Sequence, residues 1–593
     1  MTRFTLPHCR NCNPFMSFFT ISHCNNHITH SITHRKYYSS TISIEKKIRV
    51  SDSIKCLDDA VNVFHQMVRN QPPCYNFTKL LKTIIDMKHY SSVISLFKEM
   101  LKLGIPIGEF VLSIVIDSYC CMHYADFGYS ILPIYVKKGF PFDAVTFNTL
   151  LKGLFAENKV KDVVNLFKKL VRDDICEPNK VTYLIVMNGL GKRGYTKRCL
   201  DLLRVMEKGS TKPDTSVYNI VINALCKNTM LNAAINLFDE MKQKGVPPSV
   251  ITYSSLIDGM CKFDQWENVR SLLREMVNFN VYPDVVTFNI VIDGLCKEGK
   301  VEDAEEVMRH MIEKWVEPNV ITYNVIMDGH CSRGQVDKAR RIFCSMIDKS
   351  IEPDIVSYNI LIKGYCKKKE PEEAMKLFLE ISHDGLKPNI LTYNTIMQGL
   401  LEVGRTNCAQ KMYVEMQSAG HLPDLCTYRT LLDGYFKNGL VERAMTLFHK
   451  LELKRECTDI ELYSIVINGL CKNGKLDKAH TIFEKLSVIG LHPDVITYGI
   501  VIKGFCREGL FDEAKNMLRK MEDNGYLLDN ATYNIIVQGF LRSNKISEMK
   551  SFLKEMDGKR FSFDATTVKL LIGVAEDPYL MNMIPEFQRK NKK

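Results

Sequence analysis

Two tryptophans in 593 residues, and no acidic residue before Glu45, are the first things missing from this chain. No run approaches the roughly 18 consecutive apolar residues of a membrane-spanning helix, so no membrane span is expected. A paired set of Cys and His knuckles at zinc-finger spacing is absent too; Cys9 and Cys12 form one CxxC, with Cys24, His23, His27, His30 and His34 after it, but no second knuckle follows. No metal and no cofactor are expected. Formal net charge is +11, but residues 1 to 50 hold seven Lys/Arg against one acid, leaving +5 for all the rest, which is weak evidence for a polyanionic partner. An opening stretch that lacks acids and is rich in Ser, Thr and Arg carries the signature of an organellar transit peptide without a fixed fold, assigned to residues 1–45. The expected address is the mitochondrion, with the chloroplast as the alternative.

At this length a single core is excluded, so the chain is several domains or a repeat array. A period chooses the array. Units of 35 residues start at 74, 109, 144, 180, 215, 250, 285, 320, 355, 390, 425, 460, 495 and 530, the third alone having 36. Pro178, Pro213, Pro248, Pro283, Pro318, Pro353, Pro388, Pro423 and Pro493 keep the same time. In the unit 285–319, Phe288, Val291, Ile292 and Leu295 fall on one helical stripe, while Val286, Asn289, Asp293 and Lys297 gather opposite it. Gly299 supplies a stop, and a second helix starts at once with Val301, Ala304, Val307, Met308 and Met311 as its apolar stripe. Glu302 and Asp303 favour its N-terminus and Pro318 bars its continuation. Such a pair cannot bury both stripes alone and must stack on its neighbours. The expected fold is all-α: a solenoid of fourteen stacked helix-turn-helix repeats over 74–564, an N-terminal capping half-repeat at 54–73, and a C-terminal half-repeat with a basic tail at 565–593.

Eight of the twenty cysteines (Cys120, Cys226, Cys261, Cys296, Cys331, Cys366, Cys471 and Cys506) share one repeat position, which reads as a small packing group and requires no disulfide. Gly189, Gly191 and Gly194 spell GxGxxG, but without a preceding strand they read as a variant of the repeat turn. Paired acids such as Glu372 and Glu373 start second helices, and no catalytic set has a credible frame, so no enzyme is expected.

The 35-residue period, the TYN or TFN opening, the GLCK.G turn and the Pro-Asp/Asn close resemble the pentatricopeptide repeat proteins. The uniform units are similar to the P subclass, and the N-terminal segment to the restorer-of-fertility-like group of plant organelles. This resemblance implies a right-handed superhelical solenoid in which each repeat faces one base of single-stranded RNA through its fifth and its closing residue. The implied base readers are Thr78, Ser113 with Asp143, Asn148 with Asn179, Asp214, Asn219 with Ser249, Ser254 with Asp284, Asn289 with Asn319, Asn324 with Asp354, Asn359 with Asn389, Asn394 with Asp424, Asp459, Ser464 with Asp494, Asp529, and Asn534 with Asp564. Leu184, Arg429 and Gly499 depart from the pattern at the fifth position, and Gly108 closes its unit without a side chain. The other reading of an Asn near a helix start is that it caps the helix. The apolar second position (Val145, Val181, Ile251, Val286, Ile321, Val356, Ile496) is implied to pack on bases, the alternative being core between repeats. A basic stripe at the thirteenth position, Lys192, Lys227, Lys262, Lys297, Lys367, Lys437, Lys472, Arg507 and Arg542, is placed to follow phosphates or to neutralise helix ends.

By the same resemblance, Asn with Asp favours U, Asn with Asn a pyrimidine, Asn with Ser C, and Ser or Thr with Asp G. Residues 565–593 hold neither His nor Cys, so the zinc deaminase of the family's editing branch is not expected. The function expected is a sequence-specific RNA-binding protein acting on transcript processing, stabilisation or translation, with processing or translation factors as further partners. The alternative is a helical-repeat protein-interaction scaffold without RNA readout.

Overall fold

Asp284 shows how one repeat begins. Its backbone is extended, its side chain accepts the Thr287 N–H at 2.8 Å, and the helix Val285–Lys297 starts behind it, an acceptor side chain satisfying one of the donors every helix start leaves open. Gly299, at φ +77°, turns the chain, and the second helix Val301–Glu313 follows with Glu302 and Asp303 in its first turn. That helix ends earlier than Pro318 requires: Trp315 adopts φ +60° and its N–H returns to the Ile312 carbonyl. A left-handed residue stops the helix and the proline comes three residues later.

The computed structural model describes residues 56–573 apart from 71–73, 142, 173–176, 210, 454–458, 527–529 and 556–561; the expected transit peptide with its CxxC, the expected base reader Asp529 and the basic tail lie outside the described residues. Among the described residues every regular element is a helix, and none is long and apolar enough to cross a membrane. The chain divides into two packed units, residues 1–283 and 284–593. In each, helix pairs stack in tandem. Within the second unit the first helix Val320–Ser332 packs on its own second helix Val336–Asp348 and lies between the first helices Val285–Lys297 and Ile355–Lys367. At the start of the first unit, the helix Leu57–Asn70 buries Ala60, Phe64 and Met67. Beyond the last repeat of the second, the helix Ala565–Gly573 buries Thr567 and Leu571.

Two contacts recur. The tyrosine at the fourth position meets, edge to face, a phenylalanine of the preceding second helix: Phe238 and Tyr253 at 5.4 Å in the first unit, Phe343 and Tyr358 at 5.1 Å in the second. This is the geometry aromatic rings prefer. Successive first helices also touch where a glycine of one receives the repeated cysteine of the other. A Cβ on Gly329 would lie 2.7 Å from Cys296 Sγ and 3.0 Å from its Cβ. Burial drives those thiols upward, Cys226, Cys296, Cys331, Cys366 and Cys506 to about 12, as expected of packing groups whose thiolates would be poorly solvated.

One repeat breaks its second helix. In the unit starting at 109 it is split into Ala125–Tyr129 and Leu132–Lys138, because Pro133 has no N–H to bond back into the preceding turn. Gly189 and Gly191 lie inside the first helix Lys180–Gly191 and Gly194 turns at φ +80°, so the apparent dinucleotide motif is a repeat turn.

Candidate nucleic-acid interface

The residues that cap the first helices are the closing residues. Asp143, Asn179, Asp214, Ser249, Asp284, Asn319, Asp354, Asn389, Asp424, Asp459 and Asp494 each accept a backbone N–H from the first turn of the next unit. Capping therefore falls to them and leaves the fifth-position asparagines for another role.

Those asparagines are not on an open face. Asn289 is only 9% exposed, and Asn148, Asn219, Asn324, Asn359, Asn394 and Asn534 are likewise buried. A single helix pair leaves this face open, but the next first helix in the stack covers it, correcting the reading of Asn289 as lying away from the core. Burial brings each amide to a partner. Asn324 Nδ2 donates to Asp354 Oδ1 at 3.1 Å, Asn394 Nδ2 to Asp424 Oδ1 at 3.4 Å, Asn289 Nδ2 to Asn319 Oδ1 at 3.4 Å and Asn219 Nδ2 to Ser249 Oγ at 3.1 Å. The fifth and closing residues of one repeat, thirty positions apart, thus share one slot.

A third residue completes the slot, and sequence reasoning missed it. The Ser357 hydroxyl donates to Asn324 Oδ1 at 2.7 Å, Thr322 to Asn289 Oδ1 at 2.7 Å, Thr252 to Asn219 Oδ1 at 2.5 Å and Thr567 to Asn534 Oδ1 at 2.6 Å. The signal was the Ser or Thr that precedes each TYN tyrosine. At Asp354, the amide of Asn324, the Ser357 N–H and the Ser357 hydroxyl all converge on Oδ1, leaving Oδ2 outside the set. Burial alone would raise this carboxyl, yet the bonds from Ser357 and Asn324 outweigh it and hold the pKa below its ordinary value; Asp424, bonded by Thr427 and Asn394, is lowered in the same way. Each such slot presents an ionised acceptor fixed in place.

The slots are not uniform. Asn359 Oδ1, Asn394 Oδ1 and Asn148 Oδ1 are buried without a partner. Ser464 bonds the Ile460 carbonyl at 2.9 Å and Thr497 Oγ1 at 2.8 Å, Ser113 bonds Thr146 Oγ1 at 3.1 Å, and Ser254 donates to the Val250 carbonyl at 2.8 Å. Thr78 is half-buried. Asn534 Nδ2 donates to the carbonyls of Asn530 and Ser562, the Asp564 carboxylate takes Gln538, and the Asp564 N–H donates to Asn534 Oδ1 at 3.0 Å.

Beside the slots the second-position side chains stand open: Val145 and Ile251 are each 64% exposed, and Val286, Ile321, Val356, Leu391 and Ile496 are about half exposed or more. They are apolar surface, which removes the alternative that they form core between repeats. Of the thirteenth-position cations, Lys262, Lys297 and Lys437 bridge an acid one turn earlier, Asp258, Asp293 and Asp433, at 2.6, 2.5 and 2.7 Å. Lys192 caps its helix, and Lys227 and Lys367 sit in last turns. Lys472, Arg507 and Arg542 converge with Lys503 and Gln538 on a cavity of about 640 Å³ whose lining holds no acid.

The profile of the PPR repeat family matches in overlapping stretches that run from 143 to 437, and further PPR repeat profiles match 426–455, 456–487, 489–522 and 531–561. Among curated proteins, a pentatricopeptide repeat-containing protein of Arabidopsis thaliana, named as mitochondrial, is 38% identical over 111 residues, 18% of each chain. Another mitochondrial one from Arabidopsis thaliana is 26% identical over 188 residues, 32% of this chain and 30% of its own length. The matched stretches thus span less than a third of those relatives. Among solved structures, the pentatricopeptide repeat protein PPR10 from maize is 20% identical over 89% of this chain and 88% of its own, with a TM-score of 0.45, and it has also been solved with an 18-nt psaJ RNA element. With its repeats matched from 143 to 561, this chain belongs to the pentatricopeptide repeat family.

Proposed function

We propose that this chain is a sequence-specific single-stranded RNA-binding protein of an organelle, the mitochondrion, acting on transcript processing, stabilisation or translation by occupying RNA or recruiting a factor to it. The observation that carries the reading is the Asn324–Asp354 pair and its repetition. An amide spends one N–H on the carboxylate, and because the bonds from Asn324 and Ser357 all fall on Oδ1, Oδ2 is the oxygen placed to meet a donor on a base. Uracil offers such a donor at N3–H on its Watson–Crick edge, and unstacked single strands expose that edge. The open apolar side chains at the second position suit base faces, and the acid-free cavity at Lys472, Lys503, Arg507 and Arg542 suits phosphate oxygens.

From Asn219/Ser249 through Asn394/Asp424, six consecutive units then read C, G, pyrimidine, U, pyrimidine, U, with the RNA running 5′ to 3′ along the chain. The test is equilibrium binding of the protein to single-stranded RNA carrying that word against permutations of equal composition. The designed word binds more tightly, each mismatch lowering affinity about 5- to 150-fold, the equivalent of roughly 1–3 kcal/mol. Equal binding of word and permutations refutes base readout and leaves the scaffold alternative. Fusion of residues 1–60 to a fluorescent protein tests the address, and a cytosolic signal refutes it.

A further inference from the structure

Arg429 occupies a fifth position and meets its closing residue as the asparagines do, but its slot is filled differently. Its Nη2 holds Asp459 Oδ2 at 2.6 Å and its Nη1 holds Glu461 Oε2 at 2.6 Å. Asp459 Oδ1 meanwhile accepts the N–H groups of Glu461 and Leu462 at 2.7 and 3.3 Å. Both oxygens of the closing carboxylate are therefore engaged, where Asp354 and Asp424 gather their bonds on Oδ1. A guanidinium has donors only, so Arg429 adds no acceptor, and the carboxylate oxygen that would take a uracil or guanine N–H is already held by that cation.

The flanking positions have changed together with it. Where neighbouring repeats expose Val356, Leu391 or Ile496, this slot is flanked by Cys426, one turn before Arg429 on the same helix, and by Glu461, which the guanidinium holds. The branched aliphatic walls that neighbouring repeats offer a base face are missing on both sides. A carboxylate beside the slot also disfavours an RNA phosphate nearby. The unit 180–214 shows a related closure: Leu184 stands at the fifth position and Lys180 Nζ pairs with Asp214 Oδ2.

We infer that Arg429 makes the repeat 425–459 silent, a position where one base of bound RNA passes without selection, so that the word read by the preceding units ends at Asn394/Asp424. This rests on the RNA-reading function proposed above, and the experiment separates the two. The full protein and Arg429→Asn are titrated with two sets of four RNAs, one varying the base opposite Asn394/Asp424 and the other the next base in the 3′ direction.

Expected for the unchanged protein is selection of U at the first base and affinities within about twofold among the four bases at the second. Arg429→Asn frees Asp459 and restores the amide, so a U preference of about 5- to 150-fold appears at the second base, in line with the usual cost of one mismatch. No selection at the first base refutes the proposed function itself. Selection there together with fivefold or greater selection at the second base in the unchanged protein overturns the inference, because Arg429 is then a reader. Indifference that persists in Arg429→Asn, while the first base is still selected, overturns it as well, since the silence then has another cause.

Discussion

Asn324 and Asp354 lie thirty residues apart, yet the amide of one donates to the carboxylate of the other at 3.1 Å, beneath a Ser357 hydroxyl that bonds them both. The slot is built by stacking: Asn324 belongs to one first helix, and Asp354 and Ser357 begin the next.

Asn324→Thr should break that relationship at one base. A hydroxyl here has the reach of Ser464, which bonds Ile460 O and Thr497 Oγ1 and none of the closing carboxylate. Preference at that base moves from U toward G in a competition assay on two RNAs differing only there, by about 5- to 150-fold. An unchanged ranking, with helicity intact by circular dichroism, shows that residue 324 does not select the base.

Salt separates the cations. Lys297 is already bridged to Asp293, whereas Arg507 and Arg542 line a cavity without acids. Arg507→Gln and Arg542→Gln should each flatten the log-log salt dependence of RNA affinity by about 0.7, the increment for one phosphate on a single strand. Lys297→Gln should change it less. Equal slopes for all three variants refute the distinction.

Acid should loosen the helix starts in a definite window. Asp354 and Asp424 have folded pKa values below the ordinary 3.8, so their contribution is complete above that value and is lost as pH falls through the lower folded values. Thermal midpoints should fall more steeply below about pH 4 for the unchanged protein than for Asp354→Asn/Asp424→Asn, which caps with a group that does not titrate. Near pH 7 the two should differ little, because Asn and Asp cap about equally well. Parallel pH profiles refute the linkage.

Two glycines in first helices should respond oppositely to alanine. A Cβ on Gly399 overlaps Cys366, whose own Cβ is 2.6 Å away, while a Cβ on Gly499 meets only Ile535 Cδ1 at 3.9 Å. Alanine favours a helix over glycine by about 0.8–1.0 kcal/mol, and overpacking costs about 1–3 kcal/mol. Gly399→Ala should therefore lower the denaturation midpoint and Gly499→Ala should hold or raise it. The same sign for both shows that the interhelical contact does not limit packing.

Much of this was legible in the sequence because it is local. The turn at Gly299 and the acids at Glu302 and Asp303 follow from rules acting within a few residues, and the cysteine register follows from the 35-residue period. The interrupted helix before Pro133 was legible in the same way but was hidden by the strength of the 35-residue period. What was not legible depends on the neighbour: one helix pair cannot show that Asn289 is covered, or that Thr322 crosses from the next repeat to bond it. The ion pair of Arg429 with Asp459 has the same origin, since it joins the start of one first helix to the start of the next.

On the proposed RNA-reading function the closing residue has two duties, and they constrain each other. Asp, Asn, Ser and, at residue 108, Gly fill this position, and these are also residues that start helices well. A residue that recognised a base better but capped poorly would weaken the repeat by about 0.5–2 kcal/mol before any RNA arrived. The vocabulary open to such a protein is thus limited by its own folding: at this position evolution can choose among letters only from those that also begin a helix.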